Sequence, residues 1–376
     1  MPQASPAACR PLMVVGTRPE AIKMAPVIQA CQQRSDVAPV VCFTGQHQQM
    51  LTQVADYFGI TPDVNLDVMR ANQSLSGLTA RCLEGLDGVV QVHSPTAIVA
   101  QGDTTTVLAA ALTAFYHRLP LVHVEAGLRT HNLAAPWPEE FNRRVASIAS
   151  TVHCAPTERA AAELRQENVP ARQIHVTGNT VIDALLATVR REREDAGRWR
   201  RRHPELTRPR MVLVTGHRRE NFGDGMQAIC QAIATLGERF KDADFVYPVH
   251  LNPNVRGPVH ETLGGLPNVH LLAPADYPEF VWLMDCSTLI LTDSGGVQEE
   301  APSLGKPLLV MRDTTERPEA VDSGAARLVG ASTDRIVDEV ALLLGDEGEL
   351  ARRRPTTNPY GDGQAAQRIA ALIAAQ

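Results

Sequence analysis

The chain has 376 residues, 44% of them hydrophobic and 21% charged, with a formal net charge of -6; that length suits two domains better than one core. The negative balance and the 4% aromatic content leave no electrostatic or stacking footprint for nucleic acid, and no apolar run approaches the ~20 residues needed to cross a bilayer. Seven scattered cysteines, odd in number and without a Cys-x-x-Cys pair, argue against a disulfide framework or a zinc site and suit a reducing cytosol.

The first eleven residues lack the apolar segment of a signal peptide and read as a loose tail. Short apolar runs at 12–15, 39–43, 97–100, 121–124, 151–155 and 174–176 then alternate with amphipathic stretches of helical length. Such alternation implies right-handed crossovers and a parallel sheet covered on both faces. From 190 to 210 the pattern gives way to an arginine-rich polar stretch, expected to be a solvated domain boundary without chemistry of its own. Apolar runs resume at 211–214, 245–249, 269–272, 288–291 and 307–311. The expected fold class is α/β, with two doubly wound, Rossmann-like domains, 1–195 and 205–360, facing a central cleft. An alanine-rich amphipathic end, 361–376, either caps the second domain or crosses back to the first.

Doubly wound sheets bind ligands beyond the carboxyl ends of their strands, so the residues after each run carry the functional information. The first run leads into Gly16-Thr-Arg-Pro-Glu20, where Arg18 and, about one turn on, Lys23 either pair with a diphosphate or are merely solvated. Gln101-Gly-Asp103 and Glu125 end two further runs and aim two carboxylates at one crevice, although Asp103 or the threonines after it also fit a helix N-cap. Glu139, within Pro136-Trp-Pro-Glu-Glu140, opens a helix whose dipole an acid would favour in any case. In the second half, His217 of Thr215-Gly-His-Arg-Arg-Glu220 is either a phosphate donor or a surface histidine, and Arg317 joins the same rim.

Asp293-Ser-Gly-Gly-Val-Gln-Glu-Glu300 reads as a strand end, a glycine turn and a helix start. Free backbone N–H groups are expected at Ser294, Gly295 and Gly296, where a nucleotide diphosphate could approach closely, with Glu300 accepting from ribose hydroxyls. An ordinary turn is the alternative. No Ser-His-Asp spacing, His-Glu-x-x-His, Walker lysine or Gly-x-Gly-x-x-Gly fingerprint occurs, so neither a metal nor a cofactor is expected.

Several of these segments are familiar as words: Gly16-Thr-Arg-Pro-Glu-Ala-Ile-Lys-Met-Ala-Pro26, Gly102-Asp-Thr-Thr-Thr106, His123-Val-Glu-Ala-Gly-Leu-Arg129, Pro136-Trp-Pro-Glu-Glu140, Gly178-Asn-Thr-Val-Ile-Asp183, Thr215-Gly-His-Arg-Arg-Glu220 and Asp293-Ser-Gly-Gly-Val-Gln-Glu-Glu-Ala-Pro-Ser303. In order, from Gly16 to about Gly363, the chain resembles the non-hydrolysing UDP-N-acetylglucosamine 2-epimerases. The resemblance implies a glycosyltransferase-B type fold, a cytoplasmic homodimer, and a UDP-sugar substrate whose product serves bacterial surface polysaccharides. By motif it places UDP on Arg18, Lys23, His217, Ser294, Gly295, Gly296, Glu300 and Arg317, with Phe280 near the uracil. It ties Asp103, Glu125, Glu139 and His217 to catalysis. Gln46, His47, Gln49, Arg70, Arg218 and His250 lie in segments resembling an allosteric site for a second UDP-sugar. One departure is Ala275, where some relatives carry a glutamine, so a side-chain contact to uracil is in doubt.

The implied chemistry is reversible epimerisation at C2. That carbon is not next to a carbonyl, so its proton becomes acidic only as the C1–O bond to UDP stretches; a carboxylate then removes it and leaves a glycal. Donors that hold departing UDP and carboxylates on both faces of C2 are required, and crowding should raise some carboxyl pKa values. Hinge motion about 190–210 is expected to exclude water. A hydrolysing epimerase, a retaining glycosyltransferase and a non-catalytic sugar-nucleotide sensor remain as alternatives.

Overall fold

The computed structural model describes residues 9–45, 48–70 and 72–376. The chain divides into two compact units, one up to Ala184 together with Tyr360–Gln376, the other Leu185–Pro359.

In the first unit β1 (Pro11–Val15), β2 (Val40–Phe43), β3 (Val64–Asn65), β4 (Ala97–Gln101), β5 (Leu121–Val124), β6 (Val152–Ala155) and β7 (Ile174–Val176) form a sheet in the order β3-β2-β1-β4-β5-β6-β7. Every pairing is parallel. The connections carry α1 (Arg18–Gln32), α2 (Gln48–Phe58), α3 (Leu75–His93), α4 (Thr105–His117), α5 (Glu139–Ala149) and α6 (Glu158–Gln166). Strands buried on both faces read as continuous apolar runs, which is why their pattern does not alternate. Strand order reverses between β1 and β4, and the loops after these two neighbours, 16–17 and 102–104, flank that switch point.

α7 (Thr180–Glu194) contains the division between the units. The arginine-rich stretch beyond it differs from a purely solvated boundary, because it forms α8 (Ala196–Arg202) around a fully buried Trp199. That indole stacks on Trp282 at a centroid distance of 6.2 Å, and its Nε1–H donates to Glu192 at 2.6 Å. One apolar residue among arginines suffices to anchor the helix.

The second unit repeats the plan. β8 (Arg210–Thr215), β9 (Ala243–Pro248), β10 (Val269–Leu272), β11 (Leu289–Thr292), β12 (Leu308–Val310) and β13 (Ala326–Leu328) form a parallel sheet ordered β10-β9-β8-β11-β12-β13. The connecting helices are α9 (Asp224–Arg239), α10 (Pro253–Leu263), α11 (Tyr277–Cys286), α12 (Gly295–Glu300), α13 (Pro318–Asp322), α14 (Thr333–Gly345) and α15 (Glu347–Arg352). Here the switch lies between β8 and β11. The final helix, α16 (Ala365–Ala374), packs on α1 of the first unit, and the carboxylate of Asp183 accepts from Ala365 and Ala366 N–H at 3.2 and 2.9 Å.

Candidate functional site

In the first unit the ionisable groups collect where β1, β4 and β5 end. Thr17 caps α1 and Glu20 completes a capping box, its carboxylate accepting from the N–H groups of Gly16 and Thr17. Glu20 also accepts from the Thr104 hydroxyl in the loop after β4, so it spans the switch point. Burial pushes its carboxyl up to about 7 against those hydrogen bonds. The cap of α4 is Thr104, not Asp103, whose carboxylate pairs instead with Arg143 at 2.7 Å. This resolves the capping alternative at Asp103.

α5 presents Glu139, Asn142 and Arg143 on one face, as residues spaced i, i+3 and i+4 must be. Asn142 donates to the Asp103 carbonyl at 2.9 Å, fixing that face over the β4 loop. Partial burial raises the Asp103 carboxyl above its ordinary range; Arg143 and Lys23 oppose the shift, and Glu125 and Glu139 add to it. The crowding of acids expected from sequence is therefore present, with burial as the larger cause.

Glu125 follows β5 with φ of +63°, a left-handed conformation uncommon for a residue with a side chain. Its oxygens accept from Lys23 Nζ at 2.8 and 2.7 Å, from Asn179 Nδ2 at 3.3 Å and from Gln101 Nε2. Lys23 thus stands among the carboxylates. Beneath them His123 is held neutral, burial pushing its imidazole down to about 4, and its Nε2 faces the Gly102 carbonyl at 2.7 Å. Arg18 opens α1, partly exposed.

In the second unit Asp293 is fully buried at the end of β11. One of its oxygens accepts from the N–H groups of His217 and Arg218, both at 2.9 Å, and from Asn221 at 3.2 Å. Its other oxygen lies 3.4 Å from His217 Nδ1. The loops after β8 and β11 are thereby fastened across their own switch point. Burial lowers the His217 pKa, with Asp293 opposing. The His217 ring stacks on His250 at 5.7 Å.

The glycine turn differs in one respect from the expectation of three free donors: Ser294 N–H is bound to Thr292 Oγ1 at 3.0 Å. A threonine closing β11 reaches over the turn, a contact that the strand pattern does not encode. The Ser294 side chain makes no cap bond to the turn that follows, and a Cβ added at Gly296 would meet only Ser294 Oγ, at 3.9 Å. Glu300 ends α12, buried, with the Tyr277 hydroxyl donating to it at 3.5 Å; Tyr277 opens α11, which also carries Phe280. Arg317 pairs with Glu299 of α12 and precedes α13.

Of the residues in the allosteric-like segments, Gln46 and His47 lie outside the described residues, and Gln49 is on α2 with its side chain outside them. Arg70 is exposed and bonds the carbonyls of Asp67 and Met69. Arg218 and His250 flank His217 in the second unit. Sequence reasoning gave no role to Gln101, Arg143, Asn179 or the Asp293 side chain. Arg143 was detectable from its helical spacing to Glu139; the others gain their meaning only from strand order.

Among the described residues no group of three or more His, Cys, Asp or Glu side chains could hold a metal ion, and no helix is long and apolar enough to cross a membrane.

The family model for UDP-N-acetylglucosamine 2-epimerase matches residues 29–374. A probable UDP-N-acetylglucosamine 2-epimerase of Ralstonia nicotianae is 52% identical, over 97% of this chain and 98% of its own. The UDP-N-acetylglucosamine 2-epimerase of Escherichia coli K12 is 51% identical, over 95% and 96%. The crystal structure of the Neisseria meningitidis UDP-GlcNAc 2-epimerase bound to UDP-GlcNAc superposes with a TM-score of 0.90 at 44% identity, covering 98% of this chain and all of that one. The two parallel α/β units are the glycosyltransferase-B type architecture expected from the sequence. The chain belongs to the UDP-N-acetylglucosamine 2-epimerase family.

Proposed function

We propose that this enzyme interconverts UDP-N-acetylglucosamine and UDP-N-acetylmannosamine by eliminating UDP and adding it back, without hydrolysis. The observation that carries the reading is the cluster of Asp103, Glu125 and Glu139 at the β4 and β5 ends of a chain about half identical to named 2-epimerases. Each unit contributes one part of the chemistry. In the second, His217, Ser294, Gly295, Gly296 and Arg317 take the diphosphate, Glu300 the ribose and Phe280 the uracil face. Such donors bind UDP more tightly as it departs with growing charge, which is the contribution an elimination needs.

In the first unit the acids exchange the C2 proton. Burial raises the Asp103 carboxyl towards the range useful in acid-base exchange, and Asp103, Glu125 and Glu139 together remove and return the proton. Lys23 and Gln101 hold Glu125 in place for that step. Incubation with UDP-N-acetylglucosamine and separation of the sugars tests the reading. A mixed pool of two UDP-sugars is expected; accumulating UDP with free N-acetylmannosamine would mean the hydrolysing reaction instead.

A cytoplasmic homodimer feeding surface polysaccharide synthesis fits the same reading. Val92, Phe115, Tyr116 and Ile148 are each at least 68% exposed near the C-terminal ends of α3, α4 and α5, which pack side by side. An apolar face of that kind favours association with a second copy. All seven cysteines are free, as a reducing compartment would leave them.

A further inference from the structure

Asn179 lies directly before α7, in a segment that touches neither of the two switch points in sequence, and it is 2% exposed. Its side-chain oxygen, side-chain amide nitrogen and backbone N–H have separate partners. The side-chain carbonyl accepts from Val181 N–H at 3.1 Å, at the start of α7. Because that oxygen is occupied by a backbone donor, the amide orientation follows, and Nδ2 faces Glu125 Oε1 at 3.3 Å. The backbone N–H donates to the Tyr360 carbonyl at 2.7 Å.

Tyr360 begins the segment that returns to the first unit after the whole second unit has been made. Two glycines meet there; a Cβ on Gly178 would lie 3.4 Å from Gly361 Cα and one on Gly361 3.4 Å from Asn179 N, ordinary contacts, so it is the backbone conformation that calls for glycine. Gly178 has φ of +87° and Gly361 φ of +144°, both disfavoured for other residues. The returning segment is fixed again by Asp183, which caps α16.

We propose that Asn179 is a positioning residue for Glu125, and that the returning C-terminal segment, through Tyr360, sets where Asn179 stands. The inference rests on the 2-epimerase reading, in which Glu125 is an acid-base group. A carboxylate in a left-handed backbone conformation needs external contacts to stay there, and Asn179 supplies one from the loop after β7, away from the β1/β4 switch point. Acting through Glu125, it bears on kcat rather than on substrate binding.

Asn179→Asp tests this, because it keeps the oxygen that caps α7 and replaces the donor facing Glu125 by a second carboxyl. Two carboxylates so close cannot both ionise easily, so the introduced group titrates upward, and once protonated it donates to Glu125 as the amide did. The expected result is a kcat at least ~100-fold below wild type at pH 8, a KM within ~3-fold, and a deficit that shrinks as the pH is lowered towards 5.5. Asn179→Ser, which retains a capping oxygen and adds no charge, is expected to lose ~10-fold in kcat with a pH profile parallel to wild type. Wild-type kcat in Asn179→Ser, or an Asn179→Asp deficit independent of pH, would overturn the proposal. Failure of the wild-type enzyme to epimerise would instead count against the 2-epimerase reading, which keeps the two outcomes apart.

Discussion

Lys23 Nζ reaches both oxygens of Glu125, at 2.8 and 2.7 Å, with the two side chains 17% and 5% exposed. A helix that begins at the β1 end thus reaches the carboxylate that follows β5. Removing one partner of a largely buried pair leaves the other charge uncompensated, which costs about 3 kcal/mol. Lys23→Met is therefore expected to destabilise the fold by that order and to lower kcat at least ~100-fold. Adding Glu125→Gln should restore much of the stability but none of the activity. Urea unfolding of the single and double variants measures the first effect, and initial rates the second.

Glu20 gives a pH dependence with a definite sign. Folded, its carboxyl holds a proton up to about 7; unfolded, it releases it near the ordinary 4.5. Between those values folding takes up a proton, so the Glu20 contribution to stability falls as pH rises and levels off above about 7, by on the order of 3 kcal/mol in all. Glu20→Gln keeps an oxygen for the Gly16 and Thr17 N–H groups and has nothing to ionise. Its unfolding free energy should lack that component of the slope between pH 5 and 7, and it should equal or exceed wild type at pH 8.

Much of the architecture was legible because its strands are apolar runs closed by glycine or by an ionisable residue, as at Val15-Gly16 and Val124-Glu125. The expected runs match the strands to within two residues at each end. β3 and β13 at sheet edges were not anticipated, since β3 has only two residues and β13 is interrupted by the exposed Arg327. The strand-end rule placed Gln101, Asp103, Glu125, His217 and Asp293 at strand ends but did not pair them, and it passed over Asn179. Gln101–Glu125, Asn179–Glu125 and Asp293–His217 join segments 24 to 76 residues apart, and only strand order brings them together. Trp199 was overlooked because the charges around it dominate the local composition.

Asp293 gathers three N–H donors on one buried oxygen. Asp293→Ala would leave the His217 and Arg218 amides without that acceptor and release the imidazole. A loss of ~2–4 kcal/mol in stability is expected, with UDP affinity reduced at least ~10-fold. Thermal unfolding and calorimetric titration with UDP measure the two effects; unchanged UDP affinity would separate His217 from nucleotide binding.

The exposed face of Val92, Phe115, Tyr116 and Ile148 makes a prediction about assembly. Placing a charge there by Phe115→Asp together with Ile148→Asp should convert a dimer to a monomer in sedimentation velocity, because a buried unpaired charge opposes apolar association. Circular dichroism should stay unchanged, since neither side chain belongs to the core.

Hydrogen exchange at C2 tests the central claim most directly. UDP-N-acetylglucosamine incubated with the enzyme in heavy water, with no acceptor present, is expected to take up one deuterium at C2 in the epimerised product, and Asp103→Asn, Glu125→Gln and Glu139→Gln should each slow the exchange at least ~100-fold. Epimerisation without deuterium uptake, or wild-type exchange in all three variants, would contradict the account.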